Sequence, residues 1–319
     1  MAHKTKLTLL LTALVAWLAV AAYGYTQTDA AESTLTRVVI GYQKADPADI
    51  SRQRGELVKK MKAKGYKVVF KEFQDGAALM TALKSGNIDY ARLGDTPPVV
   101  NQAAGLDLVY VAAGADKVNG TEVLVKQNSG INKLADLKGK RIAYAKGTAA
   151  QFMIVQALAK ANLTVNDVTL VNMDQSAASV AFAKGKVDAW VSWDPYTATA
   201  EVQQNAKVLT NAVGLAKNRD FVVSTRKYAT AHTAVSTLLI DYLADDMSWA
   251  NKNHAKLITM LADTLHLSKA IVTKTVERRS FSMSPVTTAI VAEQQKIADV
   301  FYEQGLIQKK IQVKDALLQ

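Results

Sequence analysis

Short β-branched runs alternate with helical periodicity along most of the chain, and the alternation begins early. Arg37 to Tyr42 reads as a strand, Asp49 to Lys64 as a helix ended by Gly65, and Lys67 to Phe73 as a strand with apolar residues at every second position. Ala77 to Ser85 then reads as a helix closed by Gly86, with a strand over Ile88 to Leu93. This βαβαβ order predicts a mostly parallel sheet flanked by helices. The segment Ala82-Leu83-Lys84-Ser85-Gly86-Asn87-Ile88-Asp89 is echoed 99 residues later by Ala181 to Asp188, each a helix end, a capping glycine and a strand start. Two lobes of like construction follow from the echo. In the second, Lys133 to Leu137 is a short helix, Arg141 to Tyr144 a strand, Ala149 to Ala161 a helix and Thr169 to Asn172 a strand. Beyond Phe221 the pattern turns helical, with amphipathic segments over Asp241–Asn251, Ala255–Leu265 and Val286–Gln304.

The N-terminus is patterned differently. Lys4 and Lys6 precede an apolar run from Leu7 to about Tyr25, so 1–25 reads as an export signal or a retained membrane anchor and polar residues 26–36 as a tether. The rest of the chain is then expected outside the cytoplasm, periplasmic or held at the outer face of the cell membrane. A length of 319 residues suits two lobes better than one core. The formal charge of +11 is spread out, without the basic blocks or interleaved aromatics of a nucleic-acid binder, so no nucleic-acid partner is expected. The absence of cysteine excludes disulfides, thiolate catalysis and a lipidated N-terminal cysteine, and the four histidines never fall in a metal-ligand spacing.

Three helix starts carry the candidate chemistry, because the first turn of a helix leaves amide groups free to meet an anion. In Gly94-Asp95-Thr96-Pro97-Pro98 a strand stops at glycine and cap-type residues follow. In Lys146-Gly147-Thr148-Ala149-Ala150-Gln151, Gly147 permits close approach and Thr148 can both cap the helix and donate to an oxyanion; the glycine count excludes a nucleotide P-loop. In Trp190-Val191-Ser192-Trp193-Asp194-Pro195-Tyr196, alternation assigns Trp190 to the core and Trp193, with Tyr196, to a pocket wall, while Asp194 is equally a helix cap. No nucleophile elbow, zinc-protease helix or dinucleotide fingerprint is present.

These segments, with Ile40-Gly41-Tyr42-Gln43-Lys44, Val109-Tyr110-Val111-Ala112-Ala113, Asp136-Leu137-Lys138-Gly139-Lys140 and Val187-Asp188-Ala189-Trp190, resemble in the same order the aliphatic sulfonate-binding proteins of ABC importers, a family with taurine- and nitrate-binding relatives. The resemblance runs from about Arg37 to the end. It implies an α/β type II periplasmic-binding-protein fold, two lobes each with a central mostly parallel sheet flanked by helices: 37–127 as the first part of lobe 1, 128–220 as lobe 2, and 221–319 completing lobe 1. It also implies ligand contacts at Gln43, Asp95, Thr96, Gly147, Thr148, Ala149, Trp193, Asp194 and Tyr196. The implied partners are a small sulfonate and a membrane permease, with a monomeric protein, no cofactor and no catalysis. Many relatives carry two hydroxyl residues and then Ala-His where this chain has Thr148-Ala149-Ala150-Gln151, which leaves the favoured sulfonate open. On this reading the sulfonate oxygens sit at helix N-termini without needing a lysine. The alternatives are taurine, nitrate, bicarbonate or a thiamine-pathway pyrimidine as ligand, or an exported enzyme of the same fold.

Overall fold

A computed structural model describes residues 35–318. The expected leader, 1–25, and most of the tether lie outside the described residues. Within them the chain alternates as the periodicity requires: β1 (Thr36–Tyr42), α1 (Pro47–Arg54), α2 (Glu56–Ala63), β2 (Tyr66–Glu72), α3 (Gly76–Lys84), β3 (Tyr90–Leu93), α4 (Thr96–Ala103), β4 (Leu108–Gly114) and β5 (Thr121–Lys126). Then come β6 (Arg141–Tyr144), α5 (Ala149–Lys160), β7 (Thr169–Asn172), α6 (Gln175–Ala183), β8 (Ala189–Trp193), α7 (Tyr196–Gln203), β9 (Ala206–Asn211) and β10 (Phe221–Thr225). The remainder is α8 (Arg226–Ala231), α9 (Thr233–Lys252), α10 (His254–Leu265), α11 (Lys269–Glu277), the short β11 (Met283–Ser284) and α12 (Thr288–Glu303). No helix among the described residues is long and apolar enough to cross a membrane.

The strands form two sheets, ordered β11-β4-β10-β3-β1-β2 and β7-β6-β8-β5-β9. In the first, β1 pairs in parallel with β2 and β3, while β10 runs against β3 and β4. In the second, β6 pairs in parallel with β7 and β8, while β5 runs against β8 and β9. The same design appears twice: a parallel set is interrupted by one interior reversed strand, the first one the chain lays down after crossing between the sheets, and in the first sheet the short edge strand β11 also runs against β4. The first crossing falls between Gly114 and Thr121, ahead of Asn128, and the second between Asn211 and Phe221. The two crossing segments bond to each other, with the Lys117 amide donating to Lys217 O at 2.9 Å and the Ala212 amide to Val118 O at 2.9 Å. They form a two-stranded hinge.

Packing follows from the apolar faces. One cluster joins the facing surfaces of the two lobes, from Leu79, Tyr110 and Phe221 to Val123, Phe152 and Val191. Phe152 of α5 meets Phe301 of α12 with ring centroids 6.0 Å apart. A second cluster packs α9, α10 and α11 against the first sheet. A third holds fully buried Trp190 against Phe182. Each large side chain buried in this way contributes about 1.5–3 kcal/mol of apolar transfer. The helix expected over Asp49–Lys64 is two helices, because Gly55 takes a left-handed φ of 73° and ends α1.

Candidate functional site

The C-terminal ends of β1, β3, β6 and β8 point toward one crevice between the lobes, where open α/β sheets bind their ligands. Its back wall is the hinge. The loop Gln43–Asp46 after β1, Gly94 after β3, Thr148 and Ala149 at the start of α5, Trp193 and Asp194 after β8, and the hinge residues Lys117 and Asn218 all line it. The free volume is about 40 Å³, the space of about three waters or one compact anionic head. An outer pocket continues from it past Trp193 and is walled by Phe73, Pro195 and Tyr196, with Glu72 at its edge. Gly94 is required by space: a Cβ there would stand 2.7 Å from Asn218 Oδ1.

The inner cavity is built on buried charge. Arg92, on the central strand β3 and 4% exposed, touches Asp46 at 3.3 Å and also contacts Asp220. Lys117 and Arg279 converge on the same Asp220, which is fully buried. Arg92, Lys117 and Arg279 therefore gather around Asp46 and Asp220, with Asp194 also on the wall, and removing charge from water is costly unless it is neutralised. Burial pushes Arg92 and Arg279 down to about 10 and pushes Lys117 well below the ordinary lysine range, the last aided by repulsion from both arginines. Asp46 is raised to about 6 by burial, against the pull of Arg92. An anion entering this cavity meets the guanidinium groups of Arg92 and Arg279 in a low-dielectric site.

The N-terminus of α5 supplies neutral donors. Thr148 caps it, its hydroxyl accepting from the Ala150 amide at 3.3 Å and donating to Ala145 O at 2.7 Å. The hydroxyl proton is thus used within the fold, and the expectation that it also donates to an oxyanion does not hold. The backbone amides of Thr148 and Ala149 find no acceptor among the described residues, and both residues line the cavity. Gly147, at φ 72°, stays behind the wall, its amide held by Gln151 Oε1 at 2.7 Å. Gln151 closes the loop and does not line the cavity.

The start of α4 departs from expectation. Pro97 and Pro98 have no amide hydrogen, so this helix end offers few donors. Thr96 is fully buried and donates its hydroxyl to Asp95 Oδ1 at 3.0 Å, while Asp95 O accepts from Gln294 Nε2 at 2.8 Å. Asp95 faces a separate crevice beside Phe152, Arg219 and Gln294. Neither residue lines the ligand cavity, and the first lobe contributes Arg92, Gly94 and Pro97 in their place. Gln43, Thr148, Ala149, Trp193 and Asp194 are brought together as expected, and Tyr196 sits in the outer pocket. Asp194 does cap its helix, accepting from the Ala198 amide at 3.1 Å, and burial raises it to about 6 although Arg278 opposes the shift.

The sequence reading overlooked Arg92, Lys117, Asn218, Asp220 and Arg279. One signal was available: Arg92 interrupts the run Tyr90-Ala91-Arg92-Leu93, where a charge on a central strand demands a buried partner.

The model of the family described as NMT1/THI5 like matches residues 61–241, more than half of the chain. The chain belongs to this family. A protein of Escherichia coli (strain K12) named for aliphatic sulfonate binding is 32% identical over 291 residues, 91% of each chain. The structure of an alkanesulfonate-binding protein from Xanthomonas axonopodis pv. citri, bound to MOPS, superposes with a TM-score of 0.85 at 34% identity, covering 89% of this chain and 98% of that one. The periplasmic aliphatic sulphonate binding protein of Escherichia coli gives a TM-score of 0.81 at 32% identity, with 89% and 92% covered. This member keeps their two-lobed α/β fold over its whole described length.

Proposed function

We propose that this protein is the extracytoplasmic substrate-binding component of an ABC importer and that it captures a sulfonate between its lobes for delivery to a membrane permease. The observation that carries the reading is the pairing of a small cavity rich in buried cations with an aromatic pocket directly outside it. A sulfonate head brings one negative charge and three acceptor oxygens. Arg92 and Arg279 offset that charge, Lys117 is a further donor, and the amides of Thr148 and Ala149 donate to oxygens on the opposite side, from the positive end of α5. The organic tail leaves past Trp193 and lies against Tyr196 and Phe73, where apolar area is removed from water. Donors come from both lobes, so the ligand favours the closed arrangement that the permease reads. The lysine that the sequence reading dispensed with stands in the hinge, well placed to report an occupied cavity to the segment that bends.

Relatives with the same head-binding chemistry separate by tail. A bare inorganic anion leaves the aromatic pocket uncovered, and a neutral pyrimidine brings no charge for the guanidinium groups of Arg92 and Arg279. Thermal unfolding with methanesulfonate, longer alkanesulfonates, taurine, nitrate, bicarbonate and a pyrimidine tests this. At a hundred times its Kd a ligand adds about 2.7 kcal/mol, or roughly 5 °C for a protein of this size. A shift from alkanesulfonates that grows with tail length is expected. A shift from nitrate alone, or from the pyrimidine alone, would overturn the assignment.

A further inference from the structure

Beside the ligand cavity, and sharing Asp194 with its wall, a second set of charges joins the lobes. Arg278 follows α11 in the first lobe, yet its guanidinium reaches three carboxylates of the second: Glu122 on β5 at 3.1 Å, Asp194 after β8 at 3.4 Å and Glu201 on α7 at 2.5 Å. It also donates to Asn119 O at 3.4 Å, in the hinge. The fit is close, since a Cβ at Gly120 would stand 2.7 Å from Asp194 Oδ2 and 3.7 Å from Arg278 Cδ. Its neighbour Arg279 turns the other way, onto Asp220 in the ligand cavity. Two consecutive arginines thus connect the cleft with the seam between the lobes.

We propose that Arg278 is the positioning residue that fastens the lobes in the closed state, and that closure places a proton on Glu122. The proposal rests on the reading of the cleft as a ligand-capturing hinge. The balance of charge carries it: Glu122, 6% exposed in its side chain, shares one guanidinium with Asp194 and Glu201. The other charged groups facing the seam are Lys274, which bonds Glu201 at 3.1 Å, and Glu277 at its rim. Arg279 acts on Asp194 from the cavity side. Lys274 is 47% exposed, so solvent screens it and the three carboxylates remain under-compensated. One of them gains by taking a proton. Glu122 is the one, raised to about 8 by burial and by the Glu201 and Asp194 charges against the opposing pull of Arg278. When the lobes part, water reaches the seam and the carboxyl returns toward its ordinary range, so opening releases the proton.

The sign follows from linkage. A carboxyl whose affinity for protons is higher in the closed state favours closure at low pH, and the benefit is lost as pH rises toward about 8. Ligand affinity should therefore weaken on the order of tenfold between pH 6.5 and pH 8. Calorimetry decides it, using methanesulfonate, taurine, MOPS and nitrate as probes in Bis-Tris and in Tris, cationic buffers of different ionisation enthalpy. With whichever probe binds most tightly, the native protein at pH 7 takes up about one proton more than Glu122→Gln, which holds the neutral form permanently. Glu122→Gln, which needs no proton to close, binds more tightly than the native protein at pH 6.5 and loses the decline above it. Arg278→Met, which keeps the stem and drops the charge, binds at least tenfold more weakly. Equal proton uptake in the native protein and Glu122→Gln, or unchanged affinity in Arg278→Met, overturns the proposal. Tight binding of nitrate with no sulfonate bound would refute the sulfonate reading, while the proton count with nitrate would still decide the role of Arg278.

Discussion

At the scale of single residues, the site is an arrangement of charges that have lost their water. Asp220 holds Arg92, Lys117 and Arg279 together, and Asp46 steadies Arg92 from the other side while capping α1 through the Asp49 amide at 2.7 Å. A carboxyl raised by burial stabilises the fold when protonated. Asp46 binds its proton more tightly folded, at about 6, than in an unfolded chain, so its contribution is complete below the ordinary aspartate value of 3.8 and is lost as pH rises through about 6. Ligand-free protein titrated by thermal melts from pH 7 to pH 5 should gain from this group, and Asp46→Asn should flatten the gain. An identical pH profile in the variant would show that Asp46 is not buried as described.

Elements were more legible than the site they hold. Strands such as Arg141–Tyr144 and Thr169–Asn172 occur where the β-branched runs place them, and Gly86 and Gly185, both at positive φ, close helices where the internal echo puts them. What escaped needed distance information. Lys269–Glu277 carries a helix that the periodicity left unassigned, and α9 starts at Thr233 although Thr233-Ala234-Val235-Ser236-Thr237 has weak helix propensity, because Val235 and Leu239 pack in the core of the first lobe. The three strand-to-helix turns were found from small residues and proline, a local signal. The charges on Asp220 were not, since Arg92, Lys117 and Arg279 are joined only by the folded hinge. Proline was read as a helix starter, which it is, but its missing amide was not set against the donors an anion needs. The turn after β3 offers a direct check at this scale. Gly94→Val forces a side chain toward Asn218, which is tied to Thr121 Oγ1 at 2.8 Å, and should weaken sulfonate binding at least tenfold in calorimetry while melting within a few degrees of the native protein. Native affinity would mean that the lobes do not close as tightly as the cavity implies.

At the scale of the whole molecule, two sheets of one design face each other across a hinge only two segments wide, and the contacts between them are of two kinds. Apolar contact at Phe152 and Phe301 resists parting, while the charged seam at Arg278 adjusts to solvent. Small-angle scattering on ligand-free protein and on protein saturated with an alkanesulfonate should show a smaller radius of gyration in the saturated sample. Equal radii would place both samples in one arrangement and remove the hinge from the mechanism.

The interleaving of the first sheet also sets a schedule. The strand that fills its middle, Phe221–Thr225, is made after the whole second sheet, whose strands all lie within 121–211. A chain emerging from its N-terminus can therefore complete its later half from one uninterrupted stretch, whereas its earlier half must wait, with Tyr90–Leu93 and Leu108–Gly114 still unjoined, until the last hundred residues arrive.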